Sequence, residues 1–248
     1  MAGEKPGLHV WLFLFGLAFA LFHILPAFLP GFIDKPITYG DVLDFLTPFA
    51  VIPIAFLLYF RVCQINSQRF VVSRLQRISS RILFILGIIL YVDGHGLHLS
   101  ANSIARLVEK ANDPELFDAV YIFDEVISHS LWDVGIFLIT LSLIVASYQM
   151  SYKLDSLKEF TFLSLGACLY GFTFVVNSIE GQTVAFILPA AFIGLILSTA
   201  LYLKEVKSEM RNPMFLFFLV AYFLCLLLLA YWGVRYKGYP QFSELGWI

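Results

Sequence analysis

Two short segments of this 248-residue chain contain more ionisable side chains than apolar membrane helices normally hold. The first, residues 93–102, contains His95 and His98. The second, residues 124–133, contains His129 and three carboxylates. An ionisable group at the centre of a membrane helix costs about 2.5–3.5 kcal/mol on insertion scales, so such groups usually face a cavity and serve a function. The two segments therefore predict a metal site or a proton-handling site.

Helical spacing places these side chains on a few shared faces, because residues three, four and seven apart lie on the same side of a helix. His95 and His98 fall on one stripe, and Glu125 and His129 fall on another. Glu180 ends a third polar stripe in a later span. Counted along helices of alternating direction, all of these positions fall in the outer third of the membrane. Their common depth predicts a single site.

The donor types favour a cation. Imidazole suits zinc, copper, iron and nickel, and a carboxylate can complete the set of ligands. We predict one divalent metal, zinc before iron or copper, and its expected ligands are His95, His98, His129 and Glu125. The remaining acids could orient the histidines or act as a general base, and the expected catalytic residues are Asp133, Glu180 and Asp124.

This constellation favours a metal-dependent membrane enzyme, and in particular a zinc hydrolase that acts on a lipid or amphiphile from the outer leaflet. An iron or copper oxidoreductase at the same residues is one alternative. A transporter or channel that handles protons or cations is another, but a transporter needs polar lining on both sides of the midplane. The inner halves of the spans are apolar, which favours a one-sided site. A polar network that only joins helices is the structural alternative.

Other polar residues have simpler interpretations. The lone histidine in the first span, His23, is expected to bond a backbone carbonyl or a hydroxyl rather than a metal. Asp41 and Asp44 are expected to be solvated helix ends or caps. The three cysteines show no spacing typical of a metal motif.

The composition defines the class of protein. The chain is 60% hydrophobic and only 14% charged, whereas soluble domains contain about 25% charged residues. It is thus predicted to be an all-α, polytopic integral membrane protein of one domain, residues 1–248, with membrane lipids as its surroundings. No charged run resembles a nucleic-acid-binding tail, so no nucleic-acid partner is expected.

Seven stretches approach the 20 or so apolar residues that a membrane-spanning helix needs. They are residues 8–33, 42–62, 79–101, 117–148, 158–178, 183–203 and 213–235. With the N-terminus inside, 11 of the 16 Lys and Arg residues lie on the inner side. The positive-inside rule therefore predicts an inner N-terminus and an outer C-terminus. Asp113 and Pro114 are expected to begin the fourth helix, and the third is expected to extend to about residue 110.

Two families with seven spans can be compared at the level of their motifs. Alkaline ceramidases and adiponectin-receptor-like hydrolases have a histidine pair in the last span, whereas residues 213–235 contain no histidine. Microbial rhodopsins need a lysine in the last span, and this stretch contains none. The chain therefore lacks a required residue of each family, and its sequence is assigned to neither.

Overall fold

A computed structural model of the chain describes residues 7–69, 72–108, 112–150, 152, 154, 156–206 and 212–247. Seven of its helical segments are long and apolar enough to cross a membrane, which confirms the predicted number of spans. The helices are α1 Leu8–Ile24, α2 Tyr39–Arg69, α3 Arg74–Ala105, α4 Pro114–Tyr121, α5 His129–Ser147, α6 Leu157–Glu180, α7 Val184–Val206 and α8 Pro213–Tyr236. The fourth span consists of α4, a π-helical segment and α5. The protein is thus an all-α integral membrane protein.

The first span is shorter than predicted. Instead of continuing to residue 33, α1 passes into the 3₁₀ turn Leu25–Phe28, in which Pro26 has no N–H to continue an α-helical ladder. Beyond it a small antiparallel hairpin pairs β1, Phe32–Asp34, with β2, Ile37–Thr38. Gly31 enters the hairpin with φ +98°, a conformation that glycine adopts without strain.

The boundary between the third and fourth spans was predicted correctly only on one side. The Asp113 side chain accepts a hydrogen bond from the Leu116 N–H, and Pro114 is the first residue of α4, as expected. However, α3 already ends at Ala105. The predicted extension falls partly on residues 109–111, which lie outside the described residues.

Five of the basic residues counted for the predicted orientation also lie outside the described residues: Lys5, Lys110, Lys153, Lys207 and Arg211.

The fourth span contains an irregularity that hydropathy does not reveal. Residues Ile122–Ser128 form a π-helix between α4 and α5. A π-helical turn accommodates an extra residue and therefore rotates the side chains before it relative to those after it. Asp124 and Ser128 are both buried within this segment. The carboxylates nearest to His129 thus lie on a locally widened helix.

Glycines bring the backbones of α3 and α5 into contact. A Cβ atom added at Gly94 would lie 2.6 Å from the carbonyl oxygen of Ser128, and one at Gly87 would lie 2.8 Å from that of Gly135. Membrane helices pack closely where small residues face each other, since lipid tails provide no hydrophobic driving force for their association. α1 and α6 approach each other in the same way at Gly16.

The C-terminal end of α5 is held by amide side chains from three other parts of the chain. Asn66 of α2 donates to the carbonyl of Ala146, and Gln76 of α3 donates to that of Val145. Asn212, which precedes α8, donates to the carbonyl of Ser147. The last carbonyls of a helix have no partner within it, so these amides satisfy groups that would otherwise be buried without bonds.

The glycine contact makes a paired prediction. Gly94→Ala should destabilise the folded protein by about 1–3 kcal/mol, because the new methyl group must push α3 away from α5. Gly96→Ala is the matched control: a Cβ there meets nothing within 4 Å, and alanine favours helix over glycine by about 0.5–1 kcal/mol. Unfolding midpoints in detergent would measure both changes. Equal midpoints for the two variants would contradict the packing argument.

Candidate functional site

A cavity of about 530 Å³ opens at one end of the bundle, where α1, α3 and α6 end and α2 begins. We call this the site end. Five of the seven predicted site residues line the cavity: His98, Asp124, Glu125, His129 and Glu180. The structure thus brings these five side chains together around one cavity, and their roles stay predictions. His95 and Asp133 do not line it.

Two imidazole–carboxylate pairs lie side by side where α3 contacts the fourth span. The Nδ1 atom of His98 lies 2.7 Å from Oδ1 of Asp124, and Nε2 of His129 lies 3.7 Å from Oε2 of Glu125. The two imidazole rings are 5.0 Å apart and nearly perpendicular. The Asp124 pair is close enough for a charge-assisted contact, whereas 3.7 Å is too long for a hydrogen bond.

A third pair lies behind the cavity wall. His95 is 3% exposed, and its Nδ1 atom is 3.5 Å from Oδ1 of Asp44. Its ring packs against the Trp132 ring at 4.5 Å and against the His23 ring at 5.2 Å. Because Asp44 itself lines the cavity, this pair connects the cavity surface to the helix interface beneath it.

His23 has the role that the sequence predicted. Its Nδ1 atom is 2.8 Å from the carbonyl oxygen of Phe19, and its Nε2 atom is 3.1 Å from the hydroxyl of Tyr91. Both ring nitrogens are thus engaged within the protein. The residue forms part of the cavity wall through its ring.

Asp41 was expected to be a solvated helix end or a cap; it is a cap, but it is only 5% exposed. It exchanges reciprocal hydrogen bonds with Thr38, the arrangement of a capping box, at 2.8 and 3.0 Å. The Arg106 guanidinium, from the residue that ends α3, binds both of its carboxylate oxygens. The sequence interpretation missed this pair because the two residues are 65 positions apart and no local motif contains both.

Several buried polar atoms around the cavity have no hydrogen-bond partner within the described part of the chain. They are both ring nitrogens of His95, His98 Nδ1, Asp124 Oδ1, Glu125 Oε2, His129 Nδ1, Trp132 Nε1 and Asn177 Nδ2. His98 Nδ1 and Asp124 Oδ1 lie 2.7 Å apart but are not aligned for a hydrogen bond. Buried polar groups in proteins are almost always hydrogen-bonded, so such a concentration is typical of a place that binds water, an ion or a ligand.

Asp133 has a partner away from the cavity. Its side chain is fully buried, and the Thr183 hydroxyl donates a hydrogen bond to its Oδ2 atom. This bond joins α5 to the residue that precedes α7. The observed contact is one between helices, and the predicted role of Asp133 as a general base stays a prediction.

Glu180 lines the cavity and also fastens the segment that follows α8. Its two carboxylate oxygens accept hydrogen bonds from the Phe242 N–H at 2.8 Å and the Ser243 hydroxyl at 2.7 Å. Its carbonyl oxygen accepts a further bond from the Gln241 amide. Phe242 and Trp247 thereby become part of the cavity wall. A catalytic role for Glu180 stays a prediction beside this observed anchoring role.

The predicted metal ligands are only partly assembled. His98, His129 and Glu125 surround the cavity, while His95 lies behind it. Among the residues that the structure describes, no group of three or more His, Cys, Asp and Glu side chains has the geometry to hold a metal ion. The metal prediction therefore rests on residue types and proximity alone.

Below the site, aromatic and aliphatic side chains fill much of the bundle interior. One to two turns deeper in the helices that form the cavity lie Phe19, Ile136, Tyr170 and Phe174, all fully buried. These rings pack on one another, with Phe19 5.0 Å and Phe174 5.7 Å from Tyr170. The site end is thus backed by a closely packed aromatic layer.

In comparisons with known proteins, no protein family, no curated protein and no solved structure matches this chain. The geometry of the site must therefore support any functional conclusion.

The anchoring of the C-terminal segment makes a second prediction. Glu180→Ala should release residues 239–247, because it removes two hydrogen bonds to a carboxylate. Each such bond contributes about 1.5–3 kcal/mol when buried and less when partly exposed, so chymotrypsin should cleave after Phe242 about tenfold faster. Asp118→Ala, an exposed change on α4, is the control. Equal cleavage rates in both variants would show that Glu180 does not hold the segment.

Proposed function

We propose that this integral membrane protein is an enzyme that hydrolyses a lipid or amphiphile at the site end of the bundle. One observation carries the proposal: two imidazole–carboxylate pairs line a single cavity, and a third pair lies directly behind its wall. The pairs are His98 with Asp124, His129 with Glu125, and His95 with Asp44. A histidine oriented by a carboxylate is the common general base and acid of hydrolytic sites.

His98 is the residue best arranged for proton transfer. Its Nδ1 atom lies 2.7 Å from Oδ1 of Asp124. In the proposed site these two atoms align, and Nε2 is left for a water molecule or a substrate. In the proposed reaction, the oxygen of a water molecule bonds to the acyl carbon while His98 takes the proton of that water. The protonated imidazole then gives the proton to the oxygen or nitrogen that leaves. Asp124 supports the imidazolium that forms between the two steps.

The cavity also has an apolar side that suits an acyl chain. Phe28 and Phe172 line it and are 61% and 47% exposed, so it opens to the bundle surface there. Phe172 lies eight residues before the end of α6, roughly 12 Å along the helix axis. In the proposed arrangement, lipid surrounds the bundle at that level. A substrate could therefore enter sideways from the leaflet with its polar group towards the histidines.

A zinc ion is a second candidate within the same proposal. Two ligand atoms at 2.0–2.1 Å from one tetrahedral zinc ion stand roughly 3.4 Å apart. The 3.7 Å between His129 Nε2 and Glu125 Oε2 is near this spacing, and the His98 ring is adjacent. With these three ligands, zinc would lower the pKa of a bound water and supply the nucleophile. The same residues would serve an iron or copper oxidoreductase.

The aromatic layer below the site argues against a transporter. Transport requires a polar route on both sides of the midplane. Beneath the cavity, fully buried Phe19, Tyr170 and Phe174 pack together. The polar side chains at that level, Asp133 and Thr173, bond to protein groups. A one-sided cavity supports an enzyme, and proton or cation transport remains the alternative that flux measurements would reveal.

The hydrolase proposal makes a prediction about two variants. His98→Ala and Asp124→Asn should each lower the release of fatty acid from fluorescent acyl esters and acyl amides by about 10²-fold or more, the usual contribution of a general acid–base group. The assay uses the purified protein in dodecyl maltoside. Asp93→Asn is the control, because Asp93 is exposed on the same helix and does not line the cavity. Unchanged release by His98→Ala would overturn the proposal.

Elemental analysis of the same preparations separates the two forms of the mechanism. About one zinc ion per chain in the wild type, lost in His129→Ala together with activity, would support the zinc form. Full activity in the presence of a chelator, with no bound metal, would support His98 as the sole base.

Orientation forms part of the proposal, because the excess of basic residues places the site end outside. A cysteine introduced by Val108→Cys should therefore react with an impermeant maleimide in intact cells. Ser79→Cys, half-buried like Val108 and near the start of α3, is the matched position at the opposite end and should react only after permeabilisation. The reverse pattern would place the site inside the cell.

A further inference from the structure

We infer that the amphiphile bound in this cavity bears an ammonium group. The inference deepens the proposed hydrolase function and rests on it, since it names the chemical class of the substrate. It follows from the charge of the cavity wall, from the partners of its one guanidinium, from its aromatic rings and from an amide with no hydrogen bond.

The cavity wall is strongly acidic. Among the described residues it contains five carboxylates, listed as Asp41, Asp44, Asp124, Glu125 and Glu180, against the single guanidinium of Arg106. Three histidines also line it. Even with all three imidazoles protonated, the wall would keep an excess of one negative charge. Such a wall attracts cations and repels carboxylate and phosphate groups.

The guanidinium is not available for an anionic group. Arg106 donates to both carboxylate oxygens of Asp41 and to the carbonyl oxygen of Pro36. Binding a phosphate or a carboxylate would require breaking this bidentate pair, and would leave Asp41 buried without its partner. An anionic head group thus has no free cation on the described wall.

Aromatic rings accompany the acids. Trp132, Phe242 and Trp247 all line the cavity together with Phe28 and Phe172. The face of an aromatic ring attracts a cation within about 6 Å, and Trp attracts it best. Acids together with several rings form the usual surroundings of a bound ammonium group, including a quaternary one.

Asn177 indicates what lies next to the ammonium group. It is 6% exposed, forms part of the cavity wall, and its Nδ2 atom has no hydrogen-bond partner among the described residues. An amide N–H donates, so it requires an acceptor such as an acyl carbonyl oxygen. One turn nearer the centre of the bundle, Thr173 is fully buried and donates to the carbonyl of Leu169, so it offers no competing donor. An acyl chain would then extend past Phe172 towards the lipid.

The experiment compares three eight-carbon probes at concentrations below micelle formation: octyltrimethylammonium, octanoate and octanol. Binding to the full chain in dodecyl maltoside is measured by quenching of tryptophan fluorescence, since Trp132 and Trp247 line the cavity. Octyltrimethylammonium should bind at least tenfold more tightly than octanoate. Glu125→Gln and Asp44→Asn should each weaken its binding about tenfold, because each removes one charge from the wall. Asp93→Asn should leave binding unchanged.

Equal binding of the three probes, tighter binding of octanoate, or no binding would overturn the inference. Binding of zinc chloride without binding of any of the three probes would also overturn it, because the acids would then form a metal site only. The result is separable from the hydrolase test, because no turnover is measured. If octanoate is preferred while hydrolysis still depends on His98, only the ammonium inference fails. If ammonium binding is preferred but no acyl group is released, only the hydrolase proposal fails.

Discussion

The contact between the backbones of α3 and the fourth span at Gly94 is the constraint on which the site depends. Because Gly94 has no side chain, the carbonyl of Ser128 can lie against α3. His98 lies one turn after Gly94 on α3. The contact at Gly94 therefore brings the Nδ1 atom of His98 within 2.7 Å of Oδ1 of Asp124. The glycine is flanked by a second one, Gly96, that faces open space. Close approach, rather than a break in the helix, is therefore what positions the histidines.

Hydropathy and helical spacing predicted much of this arrangement because both act over short stretches of chain. Seven apolar segments specified seven spans. His98, Glu125 and His129, which were predicted to share one site, line one cavity, whereas His95 shares a helix stripe with His98 but lies behind the cavity wall. A stripe is wide enough to face two neighbours: both histidines pack against Trp132, but His95 meets Asp44 of α2 and His98 meets Asp124 of the fourth span.

The remaining parts of the site depend on contacts between distant residues. Asp44 and Asp41 belong to the start of α2 and looked like solvated caps, yet each meets a basic side chain from α3. Glu180 looked like a free carboxylate, but residues beyond the last span occupy both of its oxygens. No pattern within a single segment contains these pairings, because they arise when the helices assemble.

The π-helical segment has a consequence for recognising relatives of this protein. Removal of one residue within Ile122–Ser128 would let the segment regain α-helical pitch. The residues before the deletion would then rotate by roughly 100° about the helix axis relative to α5. Such a chain would keep the same seven hydrophobic spans, while Asp124 and Glu125 would leave the histidines. The number of residues between the Asp113 cap and Trp132 therefore distinguishes chains that share the site from chains that share only the bundle.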